Sequence, residues 1–420
     1  MPTDAGSTAP GASDFTYSGR FGPILRLALV TGLFTLLTVG IYRFWATARL
    51  RRYVWGSVRV GGDALEYTGT GLEKFVGFLF AVVVLALWLG AVQIVLFLFG
   101  IVIAADPRTE EEALAQVLAL SLSSLAVVPF VFFAQVLALS LSSLAVVPFV
   151  FFAQYRARRY KLARTRLRGI RFGMEPGAWG YVWRALGHGA LTVVTLGLLL
   201  PRQTFALEAY MTNRSFFGDA RFAQGGRWTG LYRYLRHVGI GVAILIAGGV
   251  LTRVVNDFGL FLVFVGYVWA FLGFVHYNVQ SFGWLSRHKT LAGGIGLDAR
   301  PSTGRVIWIG LVGWVVIAVL FAILGLVIFA MAADSFGGAA QGGGPPPVGA
   351  LVVSVLGYLA AFVLAGALAT ALINQPILRH YIESCTITGI GALDGIVQRA
   401  PDRGADAEGF ADALDMGGAF

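Results

Sequence analysis

The sequence predicts an all-α polytopic membrane protein with three transmembrane hairpins plus two short re-entrant or spanning helices, with small cytoplasmic β-hairpins. Hydrophobic residues make up 57% of the 420 residues and charged residues only 13%. Several apolar runs exceed the ~20 residues that a helix needs to cross a bilayer. This composition excludes a soluble enzyme and a disordered chain. The one cysteine, Cys385, excludes an intrachain disulfide framework and a multi-cysteine metal site.

Six long apolar runs predict the three hairpins. They cover residues 75–104, 113–154, 238–252, 258–275, 306–331 and 348–373. Two further stretches, 24–41 and 185–200, are apolar but marginal in length, and they contain Arg26 and His188. These two stretches are the predicted short elements.

The basic residues fall in alternate linkers between these runs. All but Arg108 and Arg253 of the 32 basic residues would lie on one side of the membrane, and cytoplasmic loops are the ones that accumulate Lys and Arg. This distribution requires an even number of crossings between basic segments. A re-entrant or in-plane element over 185–200 satisfies it, whereas an ordinary seventh and eighth crossing would violate the charge rule once.

Repeats divide the chain. Residues 15–53 align without a gap to 172–210, and a short alternating segment, usually with a glycine, precedes a helix five times. Several of these segments read as β-hairpins that could pair into a sheet. The predicted units are a disordered tail 1–14, a first repeat 15–171, a second repeat 172–290, a third hairpin 291–397 and an acidic tail 398–420.

A perfect tandem repeat makes the second apolar run unusually long. Residues 115–133 and 134–152 are identical, and together they would form a helix about twice as long as the bilayer core is thick. We expect a protruding kinked helix or one copy lying in the interface.

The residues from Thr35 to Tyr53, with the sequence TLLTVGIYRFWATARLRRY, are followed by a second motif, GDALEYTGTG, from Gly62 to Gly71. Both motifs resemble the YjgN-like bacterial inner-membrane proteins, and the tail from Glu408 to Asp415 is similar to theirs. The resemblance implies a multi-pass protein of the inner membrane. Because the function of that family is unknown, the resemblance implies no catalytic residue.

Two sets of residues are candidates for binding. The first has aromatic and basic side chains where helices leave the bilayer, which either anchor the chain or recruit anionic lipid: Tyr42, Trp45, Arg49, Arg51, Arg52, Tyr53, Arg156, Arg158 and Arg159. The second has polar side chains within the apolar runs, which either pack helices or line a solute path: Gln93, Ser121, Ser123 and Ser124.

The function predicted from these features is a non-enzymatic binder or transporter of lipid or a small neutral solute. The alternative is a structural or scaffolding membrane protein that binds a cytoplasmic partner. We expect no cofactor, and the scattered histidines predict no metal site. The basic residues expected in the cytoplasmic linkers account for the sequence pI of 9.9. We therefore expect no nucleic acid as a partner. The lipid bilayer is the expected surrounding, and a protein partner or homo-oligomer stays open.

Overall fold

The computed structural model describes residues 12–98, 146–254, 257–292, 294–340 and 348–399. Within these ranges, ten strands form a closed antiparallel β-barrel, and helices connect the strands at one end of it. The predicted all-α class is therefore wrong. The β-hairpins are not separate connectors, because strands this short leave unpaired edges unless they pair with each other around a closed ring.

The strands follow one another around the barrel in chain order. They are β1 Ala12–Tyr17, β2 Val58–Val60, β3 Asp63–Tyr67, β4 Thr165–Leu167, β5 Ile170–Met174, β6 Ser215–Phe217, β7 Ala220–Gln224, β8 Lys289–Leu291, β9 Ile295–Ala299 and β10 Cys385–Thr388. The last strand closes the ring by pairing with the first, with Asp14 opposite Thr386. The first and last strands of the described chain therefore meet in the sheet.

Tight turns occupy the end of the barrel away from the helices. Gly61 and Gly62 have φ angles of 59° and 93°, and Arg168 and Gly169 have 52° and 76°, which are typical of type I′ hairpins. The guanidinium of Arg168 pairs with the carboxylates of Asp63 and Asp394. These ion pairs hold a non-glycine residue in the left-handed region.

A short 3₁₀ helix, Ile390–Gly395, closes this end of the barrel. Its Leu393 and the following Ile396 are buried with Val60, Phe217 and Ile295. The barrel interior at this end is thus a packed apolar core and not a pore.

The helices leave and re-enter the same end of the barrel in pairs. They are α1 Phe21–Leu37, α2 Arg43–Ser57, α3 Gly71–Leu98, α4 over 146–163, α5 Ala178–Val194, α6 Leu200–Thr212, α7 Tyr232–Val254, α8 Phe258–Arg287, α9 Thr303–Ala340, α10 Val348–Ala369 and α11 Gln375–Glu383. A π-helical turn, Thr370–Asn374, joins α10 to α11. Because every described pair starts and ends at one end of the barrel, the linkers there must share one side, and the positive-inside rule indicates the cytoplasm.

Five helices in the described ranges are long and apolar enough to cross a membrane. They are α3, α7, α8, α9 and the continuous α10–α11 segment. Most of the predicted run 113–154 lies outside the described residues, as does most of the tandem repeat of 115–133 and 134–152.

Two helix pairs are short and turn back at an apolar tip. The α1–α2 pair turns at Val39 and Gly40, with φ angles of 51° and 90°, and the α5–α6 pair turns at Leu196 and Gly197, with 51° and 88°. Val39 and Leu196 are each 93% exposed. Apolar side chains at a protruding tip fit a lipid environment better than water. The stretches 24–41 and 185–200 therefore contain the tips of hairpins that return to the barrel.

Glycines allow α7 and α8 to pack closely. Gly241 and Gly248 on α7 face Gly259, Gly266 and Gly273 on α8, so small residues recur every seven positions along the contact. Such stripes let helix backbones approach each other in membranes, where no hydrophobic force drives association between helices.

Replacing Gly248 by alanine should destabilise the α7–α8 pair. A Cβ there would lie 2.6 Å from the backbone nitrogen of Val263 and 2.9 Å from the carbonyl oxygen of Gly259, so the helices must separate, at roughly 1–3 kcal/mol. The control is Gly249→Ala, whose Cβ meets nothing within 4 Å. Thermal unfolding of both variants in detergent should show a lower midpoint for G248A only. Equal midpoints would contradict the close packing.

Candidate functional site

A groove between three helices is the candidate binding site. It lies between the α1–α2 hairpin and α10 with its π-helical turn, and its volume is about 860 Å³. Volumes of about 300–1,000 Å³ are usual for small-molecule sites. We call it the lateral groove. Towards the hairpin tip its walls are mainly apolar and include Leu36, Val39, Leu359 and Phe362, and Arg43 also lines the groove there.

The opposite end of the lateral groove, near the barrel, contains two buried cations. Arg51 of α2 is 0% exposed, and Lys74 in the first turn of α3 is 1% exposed. The Lys74 ammonium lies 5.4 Å from the ring centroid of Tyr67, within range of a cation–π contact. Burial of a charge costs free energy that anionic or polar partners must offset. These two side chains give this end of the groove a positive charge.

The close approach of α3 to α2 places Lys74 at the groove. A Cβ at Gly71 would lie 2.8 Å from the Cα of Trp45, so only glycine permits this contact. Phe75 then packs against Phe44 and Trp45, with ring centroids 5.6 and 5.7 Å apart. The Trp45 ring is thus part of the α2–α3 contact.

Hydroxyl groups line the lateral groove between its two ends. Thr31 and Thr35 donate to backbone carbonyls one turn earlier at 2.7 Å, Thr47 does so at 2.9 Å, and Thr370 donates to the Gly366 carbonyl at 2.8 Å. Because each hydroxyl proton is used within its own helix, the lone pairs of these oxygens remain to accept hydrogen bonds. A ligand here would meet cations as donors and threonine oxygens as acceptors.

The six predicted aromatic and basic residues between Tyr42 and Tyr53 lie in different surroundings. Arg51 lines the lateral groove, whereas Arg49 is exposed and lies 5.6 Å from the Tyr42 ring centroid. Arg52 donates to the Gly69 carbonyl at 3.3 Å. The Tyr53 hydroxyl accepts from the Arg20 backbone N–H at 2.9 Å. The structure thus places one of these six residues, Arg51, among the groove-lining side chains.

The later basic cluster lies elsewhere. The Arg159 Nε donates to the Met174 carbonyl at 2.7 Å, and the Arg156 guanidinium lies 5.5 Å from the Phe152 ring centroid. Arg158 forms a two-pronged ion pair with Glu208, at 2.8 and 3.0 Å. Arg158 and Arg159 thus connect α4 to α6 and β5, whereas the Arg156 contact lies within α4.

Glu208 of α6 connects three elements, because Lys289 of β8 also contacts it, at 2.7 Å. Burial by itself would raise the pKa of Glu208, but Arg158 and Lys289 outweigh burial and hold that pKa well below its usual range. The carboxylate is therefore ionised in the folded protein. It stabilises the junction of α4, α6 and the barrel.

Sequence reasoning missed Lys74 and Glu208 as site residues. Glu208 occupies the position in 172–210 that Arg51 occupies in 15–53, so the alignment of these two segments was a signal for it. Lys74 directly precedes an apolar run. Its burial depends on the contact of Gly71 with Trp45, which no local sequence pattern indicates.

The predicted solute path lies outside what the structure describes. Ser121, Ser123 and Ser124 are outside the described ranges, and the side chain of Gln93 is not described. Among the described residues, no group of three or more His, Cys, Asp or Glu side chains could hold a metal ion.

The sequence is similar to a bacterial protein family and to an inner membrane protein. A family described as "Bacterial protein of unknown function (DUF898)" matches residues 12–413. The inner membrane protein YjgN of Salmonella typhimurium (strain LT2) is 28% identical over 96 residues, which are 22% of this chain and 24% of that relative. The match thus spans about a quarter of that relative's length. No solved structure matches.

Removing the carboxylate of Glu208 should destabilise the fold. Glu208→Gln leaves two partly buried cations without their anion, which costs about 1–3 kcal/mol. The control is Glu383→Gln, since the surface pair of Glu383 with Arg379 on α11 is worth about 0–1 kcal/mol. Thermal unfolding at pH 7 should separate the two variants.

The same ion pairs predict an acid sensitivity. Because the folded pKa of Glu208 is below its ordinary value of 4.5, its contribution is fully present above pH 4.5 and is lost as the pH falls towards the folded pKa. The parent protein should lose this contribution below pH 4.5, and the E208Q variant should lack that component. Parallel pH profiles for both proteins would contradict the role of Glu208.

Proposed function

We propose that this chain, which belongs to the bacterial DUF898 family and is a multi-pass protein of the inner membrane, binds an anionic membrane lipid in the lateral groove. The observation that carries the proposal is the pair of buried cations, Arg51 and Lys74, at one end of a groove whose other end is mainly apolar. The role is binding and not catalysis.

The barrel end of the lateral groove suits a phosphate headgroup. The guanidinium of Arg51 and the ammonium of Lys74 can both donate to phosphate oxygens, and hydrogen bonds to charged groups are worth about 1.5–3 kcal/mol each. Arg43, which is exposed and also lines the groove, begins α2 at the hairpin tip and is therefore not part of this end. The positive charge of the barrel end disfavours a neutral solute as the ligand.

The threonine oxygens favour a headgroup that carries hydroxyl groups. Because the hydroxyl protons of Thr35, Thr47 and Thr370 are already donated to backbone carbonyls, these side chains offer acceptors to a ligand. A glycerol headgroup has hydroxyl donors for them. Phosphatidylglycerol therefore fits this groove better than a lipid whose headgroup lacks donors.

The tip end of the lateral groove suits acyl chains. Val39 is 93% exposed and Phe362 is 78% exposed, and both line the groove with Leu36 and Leu359. With the barrel in the cytoplasm, the cations lie at the cytoplasmic headgroup level and the apolar end points into the bilayer. A lipid of the inner leaflet would then bind in its ordinary orientation.

Removing the two buried cations should abolish selective lipid binding. The double variant Arg51→Met and Lys74→Met keeps side-chain volume, which is often tolerated at buried charged positions. Loss of both contacts removes about 3 kcal/mol or more, roughly a hundredfold in affinity. Native mass spectrometry of the purified protein, titrated with phosphatidylglycerol and phosphatidylcholine, measures this directly.

The matched control changes charge by the same amount on the outer surface. The variant Arg49→Met and Arg52→Met removes two exposed cations of the same helix and should retain selective binding of phosphatidylglycerol. If both variants lose it equally, surface attraction explains the effect and the groove is not the site. If the parent protein shows no preference for phosphatidylglycerol, a scaffolding role replaces lipid binding.

A further inference from the structure

Two arginines lie directly opposite each other on the outer face of the barrel. Arg166 of β4 and Arg171 of β5 are partners in the antiparallel ladder. Their strand neighbours Leu167 and Phe172 pack into the barrel core, and side chains alternate between the two faces of a sheet. Both arginine side chains therefore point outwards. We call them the arginine pair. Like charges at directly opposed positions destabilise a sheet, so an anion between them would stabilise it.

Other arginines around this part of the barrel have carboxylate partners. Arg168 in the turn between β4 and β5 pairs with Asp63 and Asp394, and Arg221 of β7 pairs with Glu175. By contrast, no ion pair within the described ranges includes either member of the arginine pair. The positive charge of the pair is thus not neutralised by the surrounding strands.

The hydrogen-bonding capacity of the arginine pair is also not used within the sheet. The Nε of Arg166 has no hydrogen-bond partner among the described residues. Glu66 lies opposite Arg166 on the other side, in β3. Its side chain is exposed and forms no ion pair with Arg166 in the part of the chain that the structure describes. The guanidinium groups can therefore accept a further carboxylate partner.

The last described residues of the chain bring its C-terminal end to the arginine pair. The side-chain carbonyl of Gln398 accepts a hydrogen bond from the backbone N–H of Arg171 at 2.7 Å. The guanidinium of Arg399 lies 5.1 Å from the ring centroid of Phe216. Phe216 is on the outer face of β6, because its neighbour Phe217 is in the barrel core. The chain thus leaves the described region over the outer face of β5 and β6.

The acidic tail continues from this point. Residues 400–420 contain five carboxylates and one arginine, namely Asp402, Asp406, Glu408, Asp412, Asp415 and Arg403. The first two carboxylates are four and eight residues beyond Gln398, which is at most roughly 14 and 28 Å of chain. Both are therefore within reach of the arginine pair. The region that matches the family extends to residue 413 and includes both of them.

We propose that the acidic tail docks on the outer face of its own barrel, with the carboxylates of Asp402 and Asp406 at the guanidinium groups of Arg166 and Arg171. Attachment through Gln398 makes this an intramolecular contact with a high effective concentration, so individually weak surface ion pairs can hold the tail. The docking site is on the barrel strands and is separate from the lateral groove. It does not depend on the lipid proposed to bind there.

Carbodiimide cross-linking tests the contact without removing its charge. Arg171→Lys keeps the positive charge and provides an amine that a carbodiimide couples to a nearby carboxylate. The full chain in phosphatidylcholine nanodiscs is treated with the reagent, and cross-linked peptides are identified by mass spectrometry. A cross-link from position 171 to Asp402 or Asp406 supports the proposal. Cross-links from position 171 to Glu66 or Glu175 alone, or none at all, overturn it.

A control position and isotope labelling make this experiment specific. Arg300 follows β9, on the opposite side of the ring from β4 and β5, so Arg300→Lys should give no cross-link to the tail. Equal cross-linking of both positions would show that the tail has no preferred site. The reaction is also run on a mixture of ¹⁵N-labelled and unlabelled protein. Cross-linked peptides with mixed labels would place the tail on a second copy and overturn docking within one chain.

Trypsin cleavage after Arg403 measures docking with the tail sequence unchanged. The double variant Arg166→Gln and Arg171→Gln should release residues 404–420 about fivefold faster, as expected for loss of exposed ion pairs. Arg300→Gln should leave the rate unchanged. Salt at about 1 M, which screens exposed charges, should speed release from the parent protein and not from the double variant. Equal release rates from parent and double variant, with equal thermal midpoints, would overturn the proposal.

Discussion

Backbone hydrogen bonding between the first and last strands is the interaction on which the rest of the structure depends. β1 pairs with β10 through Ala12, Ser13 and Asp14, and with β2 through its remaining residues. Without the β10 contact, the sheet would have two free edges made of strands of three to six residues. Short sheets with open edges are marginally stable. Closure satisfies both edges and fixes the order of all the helix pairs.

Closure of the barrel also positions the candidate site. It brings α10, which precedes the last strand, against the α1–α2 hairpin that follows the first, and the lateral groove lies between them. It also arranges the returning helices around one axis. The ion pairs of Glu208 also depend on closure. Glu208 connects α4 and α6 to β8 because the closed ring makes those elements neighbours.

The sequence predicted the membrane environment and many of the local elements but not the barrel. The five recurring segments were recognised, and Phe15, Leu65, Phe172 and Leu297 belong to them. Their pairing was not predictable, because a strand of three to five residues carries too little pattern to specify its partner. The partners are also far apart in the chain, as Asp14 and Thr386 show.

The candidate site was predictable only in part, for a related reason. Arg49, Arg51 and Arg52 look alike in sequence, yet Arg51 is buried and the other two are exposed. Which of the three side chains faces the groove depends on the contacts of α2 with α1 and α3. The charge pattern of α2 alone does not indicate these contacts. The partnership of Glu208 with Lys289 likewise joins residues from separate helix pairs.

Disulfide cross-linking of the first and last strands tests barrel closure most directly. In a Cys385→Ser background, Asp14→Cys with Thr386→Cys places two thiols at directly paired positions. Cross-strand Cα separations there of about 4.5–5.5 Å fall within the range that a disulfide spans. The closed barrel predicts rapid intramolecular cross-linking, seen as a gel-mobility shift reversed by reductant. Asp14→Cys with Thr388→Cys, two residues out of register, should cross-link poorly. Equal cross-linking of both pairs, or cross-linked dimers only, would contradict closure.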